Sequence, residues 1–285
     1  MNLAERMGHP AHTRLLVLHA DDLGCARAAN AAAWALLEAG RLTSASVIAP
    51  APFFEEVAAY QQAHPEADIG VHLALTSEHP RRRWTGVLGP KATPSLHDGD
   101  GYLPLTVEEL LVRADPDEAA RELRAQVEKA LDAGIDVTHL DSHMGAVFHR
   151  PFFAAWCELA VEFQLPTFIP AAFRNRPPVQ QMEAAGVPAI DLLLWDTYGP
   201  GLSEKPALFD QMLADLAPGF SHFLVHPTFD VPEVHDFLVG PETRITDYEL
   251  FSEGALHRRL AAQGVQLTGY RELRDWIRSD SRMVN

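Results

Sequence analysis

The chain has 285 residues, 47% of them hydrophobic, with a formal charge of −16 and a mean hydropathy near zero. This is the composition of a soluble globular protein with room for a large core, and its charge has the wrong sign for a nucleic-acid or anionic-membrane partner. No apolar run approaches the roughly 20 residues of a membrane span, the opening "MNLAERMGHPAHT" lacks a signal peptide's apolar centre, and two distant cysteines give no disulfide framework, so a cytoplasmic location is expected.

In chain order, residues 1–13 read as a flexible tail. The first apolar run, Arg14–Ala20, predicts a strand that ends in Asp21 and Asp22. "ARAANAAAWALLEAG" follows, rich in Ala and Leu and closing on Gly40, a residue suited to the turn after a helix. Further strands are expected at Thr43–Ala49, Asp68–Leu75, Val137–Asp141, Thr167–Pro170, Ala189–Leu194, Ser221–His226 and Val265–Thr268. Helical patterns separate them. "DPDEAARELRAQVEKALDAG" opens with Asp115 as an N-cap before Pro116 and stops at Gly134. "FFEEVAAYQQAH" and "YRELRDWIRSD" read the same way.

This alternation predicts parallel strands with right-handed crossovers. Seven or eight units in a single domain, residues 14–285, suit an irregular TIM-like (β/α) barrel better than an open sheet. Two stretches break the rhythm, 76–105 and 227–243, and are expected to be long lid or binding loops.

Polar residues gather where the predicted strands end. "LLVLHADD" carries Asp21 and Asp22, "DIGVHLAL" carries His72, "VTHLDSH" carries His139, Asp141 and His143, and "SHFLVHP" ends in His226. In parallel α/β folds these ends converge on one face, where ligands bind. Neighbouring strand residues face opposite sides, so Asp21 and Asp22 are expected to do different jobs. A carboxylate and two imidazoles from separate strands make a reasonable three-ligand metal site with open positions for water and substrate. There is no HExxH, G-x-S-x-G, Walker loop or CxxC to suggest other chemistry.

At these residues the sequence resembles the YdjC-like (ChbG-type) carbohydrate deacetylases. "HADDLG" is similar to that family's N-A-D-D-F-G, "GVHLALT" to its G-x-H-x-x-L-T, "GIDVTHLDSH" to its G-x-x-P-T-H-x-D-S-H, and "HP" at His226–Pro227 to its late H-P-G. The resemblance implies a NodB-like irregular barrel and one divalent metal, zinc or magnesium. It also implies hydrolysis of the N-acetyl group of an amino sugar. By position it implies Asp22, His72 and His143 as metal ligands, Asp21 as general base and His226 as general acid. His139 and Asp141 are then supporting groups behind the ligands. "DSHMGAVFH" stands where the family has D-S-H-H-H-V-H, "HPTFD" lacks the glycine, and His19 replaces Asn. The resemblance therefore does not transfer chito-oligosaccharide specificity.

Each residue also has a plainer reading. Asp22 could cap the following helix, and His72 could be a core histidine. Trp84, Tyr102, Trp195 and Tyr198 could offer a sugar an aromatic face. Trp84, inside the long loop, is the expected contact, and for Trp195, which ends an apolar strand, core packing is at least as good a reading as a sugar contact. Arg244 is a candidate for holding a carboxylate or touching substrate. A non-catalytic sugar-binding protein on the same barrel, a two-His-one-carboxylate Fe(II) oxygenase and a glycoside hydrolase using Asp21 with Asp141 are the alternatives. A homo-oligomer is possible, and one chain does not reveal it.

Overall fold

The apolar runs pair into a curled parallel sheet in this computed structural model, which describes residues 1–195, 203–214 and 216–280. Its strands are β1 (Arg14–Leu23), β2 (Ser44–Val47), β3 (Ile69–Leu73), β4 (Leu140–Ser142), β5 (Leu192–Leu194), β6 (Gly219–Val225) and β7 (Val265–Leu267). The order is β4-β3-β2-β1-β6-β5, with β7 also on β1. Helices cover the outer face, so β1 is buried at every residue after Arg14 and reads as a continuous apolar run up to its polar end. Burying each of Leu15, Leu16 and Leu18 stabilises the fold by about 1.5–3 kcal/mol.

One flank of β1 pairs with β6 from Arg14 to Ala20. The other flank is shared, with β7 against Arg14–Leu16 and β2 against His19–Leu23. The expected strand at 167–170 makes only isolated bridges, Leu140 to Thr167 and Pro170 to Ile190, which span the gap between β4 and β5. Pro166 and Pro170 bring no N–H to a ladder, which explains why no regular strand forms there.

The predicted helices form at Arg27–Glu38, Phe54–Ala63, Pro116–Asp132 and Tyr270–Asp280. The Asp115 carboxylate accepts from the N–H groups of Asp117 and Glu118, an N-cap worth about 1 kcal/mol. The same helix anchors the 76–105 stretch. Buried Glu122 accepts from the N–H groups of Val87 and Leu88, and the Gln126 amide brackets the backbone of Ala74. That stretch is not wholly irregular, containing short helical turns at Gly89–Ala92 and Pro94–Leu96, and a helix at Pro232–Phe237 interrupts 227–243.

The flexible N-terminal tail is corrected. Leu3–Arg6 form a helical turn closed by a reciprocal Asn2–Glu5 capping box. Leu3 and Ala4 are fully buried, and the Leu3 N–H donates to Asp191 Oδ2. Two apolar side chains and a distant carboxylate hold the segment down.

Candidate active site

At the carboxyl end of β1 the register with β2 shifts between Ala20 and Leu23, and Asp22 takes φ +68°. Aspartate tolerates the left-handed region better than most residues, and such backbone is held in place only by surrounding contacts. The irregularity breaks the alternation of side chains. Asp21 and Asp22 therefore line the same cavity rather than opposite faces, which corrects the expectation drawn from strand geometry. Asp22 does not cap the following helix, whose N-cap, Ala26, makes no side-chain cap bond.

His72 comes from β3, and His143 follows β4 directly. Both converge on Asp22. Its Oδ1 lies 3.0 Å from His143 Nδ1 and 3.3 Å from His72 Nε2. Each histidine is held through its other nitrogen by a carboxylate. His72 Nδ1 meets Asp141 Oδ1 at 2.7 Å, and His143 Nε2 meets Glu78 Oε2 at 2.6 Å. Arg244 Nη2 donates to Asp22 Oδ2 at 2.8 Å and so fixes the second oxygen of that carboxylate. Asp22, His72 and His143 thus present one donor each within 4.8 Å of one another, and could hold a metal ion. Donors about 2.1 Å from a zinc stand about 3.4 Å apart, close to the spacing found. The carboxylate behind each imidazole sets its tautomer and orientation.

Glu78 went unnoticed in the sequence because it sits in "SEHPRRR", a charged run without periodicity. The available signal was its place five residues after the β3 end, Leu73, where the chain leaves the sheet on the cavity side. Its Oε1 also lies 3.0 Å from buried His79.

His226, at the end of β6, brings Nε2 to 3.7 Å from Asp21 Oδ2. Its backbone N–H donates to Asp247 Oδ2, and Asp247 pairs at 2.5 Å with Lys205, both fully buried. The helix Pro241–Ser252 carries both Asp247 and Arg244, so one element steadies two sides of the site. His139 stacks on Tyr270 at 4.1 Å, away from the Asp22 cluster, with Nε2 3.7 Å from Asp141 Oδ2.

Burial and charge separate the two aspartates. Burial pushes the Asp21 carboxyl well above the usual range, and Asp141 and Asp22 add to the rise against the pull of His72. Burial acts on Asp22 too, but Arg244 and His143 outweigh it and hold that carboxyl well below. Burial opposes charge on His143, yet Glu78 and Asp22 raise it to about 9. Burial lowers His226 to about 3, which keeps its ring neutral.

The cavity above these groups measures about 630 Å³. Glu78, Pro80 and Leu105 reach it from the 76–105 stretch and Val239 from the 227–243 stretch. The aromatic expectation is corrected. Trp84 is 4% exposed, packed 6.0 Å from the His143 ring and 5.9 Å from that of His79, and does not line the cavity. The loop folds over it, with its N–H bonded to Ser77 Oγ and its carbonyl to Leu103 N–H. Trp195, read as either a core residue or a sugar contact, is 64% exposed and lines the cavity. Tyr102 lies elsewhere, against Arg83, and Tyr198 lies outside the described residues.

A curled parallel sheet with a His/Asp cluster at the carboxyl ends of its strands defines an α/β barrel-type protein with a site suited to a divalent metal. The family model described as "YdjC-like protein" matches residues 15–262, and the chain belongs to that family. It is 33% identical over 275 residues to the carbohydrate deacetylase of Thermus thermophilus, covering 92% of this chain and 94% of that one. It is 29% identical to the carbohydrate deacetylase of Geobacillus stearothermophilus, covering 91% and 98%. Among solved structures it resembles an Enterococcus faecalis protein described as a candidate cellobiose-phosphate cleavage protein, with TM-score 0.76, 23% identity and coverage of 92% and 99%. A CE4-family pseudoenzyme from Bacillus anthracis shares the fold more distantly, with TM-score 0.50, 12% identity and coverage of 94% and 68%. No described helix is long and apolar enough to cross a membrane.

Proposed function

We propose that the protein is a carbohydrate deacetylase that hydrolyses the N-acetyl group of an amino sugar or short oligosaccharide to acetate and a free amine. The observation that carries this reading is the convergence of Asp22, His72 and His143 beside a second carboxylate, Asp21, on one cavity. The deacetylase names of the relatives agree with it.

Asp22 Oδ1, His72 Nε2 and His143 Nδ1 would hold one divalent cation, zinc or magnesium. Bound there, it supplies Lewis-acid polarisation of a carbonyl and a water acidified toward neutrality. Asp21 accepts the proton of the attacking water at Oδ2, the oxygen nearer His226. The raised proton affinity of that buried carboxyl suits a general base. His226 Nε2 delivers a proton to the departing amine. Since burial keeps its ring neutral, it carries that proton only on receiving it from Asp21. Trp195 offers the sugar an aromatic face at the mouth of the cavity. Cys25 and Cys157 are buried free thiols, which fits a reducing cytoplasm.

The test is an acetate-release screen over N-acetylglucosamine derivatives and short chitooligosaccharides, after metal analysis of the purified protein. Acetate release that stops on chelation supports the reading. Tight sugar binding without turnover under any metal would replace it with a sugar-binding role.

A further inference from the structure

Below the Asp22 cluster, one layer deeper in the barrel, a second set of donors converges. His19 on β1, His139 immediately before β4 and Asp141 on β4 are each at most 1% exposed. One donor atom from each lies within 4.8 Å of the others. The surrounding hydrogen bonds fix what these atoms offer. The Thr138 hydroxyl donates to Asp68 Oδ1 at 2.5 Å, so it accepts from His139 Nδ1 at 3.0 Å. In the singly protonated ring with its N–H on Nδ1, Nε2 offers its lone pair as a ligand. That nitrogen has no hydrogen-bond partner and faces Asp141 Oδ2, itself without a hydrogen bond, at 3.7 Å. His19 Nε2 stands 3.1 Å from the same oxygen but out of hydrogen-bonding alignment.

In that tautomer two buried acceptors face each other, and a cation between them would satisfy both. The 3.7 Å between these two atoms suits a shared cation. A cation at about 2.1 Å from each would subtend about 124°, well within a tetrahedral or distorted site. Ser46 Oγ and Asp21 Oδ1 lie 3.0 and 3.3 Å from His19 Nε2, within range as further donors. The His139 ring cannot swing away, being stacked on Tyr270 and seated on Gly70, where an added Cβ would lie 2.4 Å from it.

We propose that His19, His139 and Asp141 form a second divalent-cation site, separate from the Asp22 cluster and independent of the deacetylase reading. Two imidazoles with one carboxylate select zinc, cobalt or a similar ion over magnesium. Asp141 then spans both layers, with Oδ1 orienting His72 and Oδ2 on the inner ion.

The experiment strips the full chain with a chelator, reloads it with Zn(II) or Co(II), removes free metal and counts ions. Wild type is expected to retain two per chain, Asp22→Asn one and His19→Asn one. Zinc-edge anomalous diffraction of wild-type crystals is expected to place a peak among His19, His139 and Asp141. One ion per chain with no inner peak overturns the proposal, whatever the acetate assay shows. Two ions that both survive His19→Asn overturn it equally. If His19→Asn fails to fold, the wild-type count and anomalous map decide alone.

Discussion

Glu78 Oε2 stands 2.6 Å from His143 Nε2, on the nitrogen opposite the one that faces Asp22. It does for His143 what Asp141 does for His72, so both imidazoles of the cluster are backed by a carboxylate. Replacing Glu78 with Gln keeps the shape and removes the charge. Metal affinity at the Asp22 cluster is expected to fall about 10–100-fold, with the fold retained. Competition with a chromophoric chelator measures it, and an unchanged affinity would show that the contact is incidental.

Asp21→Asn is expected to lower acetate release by about 10²–10⁴-fold, the usual contribution of a general base. The outer ion should stay bound, because Asp22, His72 and His143 are intact. Metal content and turnover are measured on the same preparation. Loss of the outer ion in this variant would make Asp21 a ligand instead.

Trp195→Ala is expected to raise KM for an acetylated sugar about 3–10-fold with little change in kcat, the pattern of lost uniform binding. Trp84→Ala should instead lower thermal stability, because that ring is buried against His143 and His79. Initial rates and melting curves of the two variants separate these outcomes.

Gly70→Ala would set a methyl group 2.4 Å from the His139 ring. Overpacking of this kind costs about 1–3 kcal/mol. Urea unfolding should show the loss, and a neutral result would mean that the His139–Tyr270 stack has room to shift.

Asp136 gives a pH dependence with a definite sign. Burial pushes its carboxyl up, but hydrogen bonds and charge from Arg274 and Arg271 outweigh that and hold it below its ordinary value. A depressed folded pKa contributes stability that is present above the unfolded value, about 3.9, and lost as pH falls through the folded one. The Asp136 side chain is 48% exposed, so screening keeps the effect below about 1 kcal/mol. Asp136→Asn should lower the melting temperature at pH 7 and leave it nearly unchanged near pH 2. An equal loss at both would assign the effect to packing.

How far the site could be read in advance depended on whether a residue's position followed a period. His72 alternates with Val71 and Leu73, Asp22 closes an apolar run, and His143 directly follows β4, so strand geometry carried them to one face. Glu78 lies in a segment with no repeat, and only the fold of the loop brings it to His143. The places of Trp84 and Trp195 were hidden for a related reason. An aromatic in a polar loop looked exposed, yet the loop packs on its own tryptophan, while the residue after the short β5 is turned into the cavity. The side that Asp21 faces depended on a register shift and one left-handed residue, which no alternation pattern encodes. The turn at Leu3–Arg6 is too short to display a helical repeat and owes its order to Asp191 and to burial.

The pairing of β1 also sets a timetable. The strand leaves the ribosome before β6 and β7, which flank its first residues and begin at Gly219 and Val265. At about 5–20 residues per second, β1 waits on the order of ten seconds or more for its permanent neighbours. A nascent chain stopped before Gly219 already contains Asp21, Asp22, His72 and His143, yet lacks β6, which pairs with β1 from Arg14 to Ala20. During that interval β1 is an apolar edge open to mispairing. Truncation from the C-terminus should therefore erase the pocket abruptly.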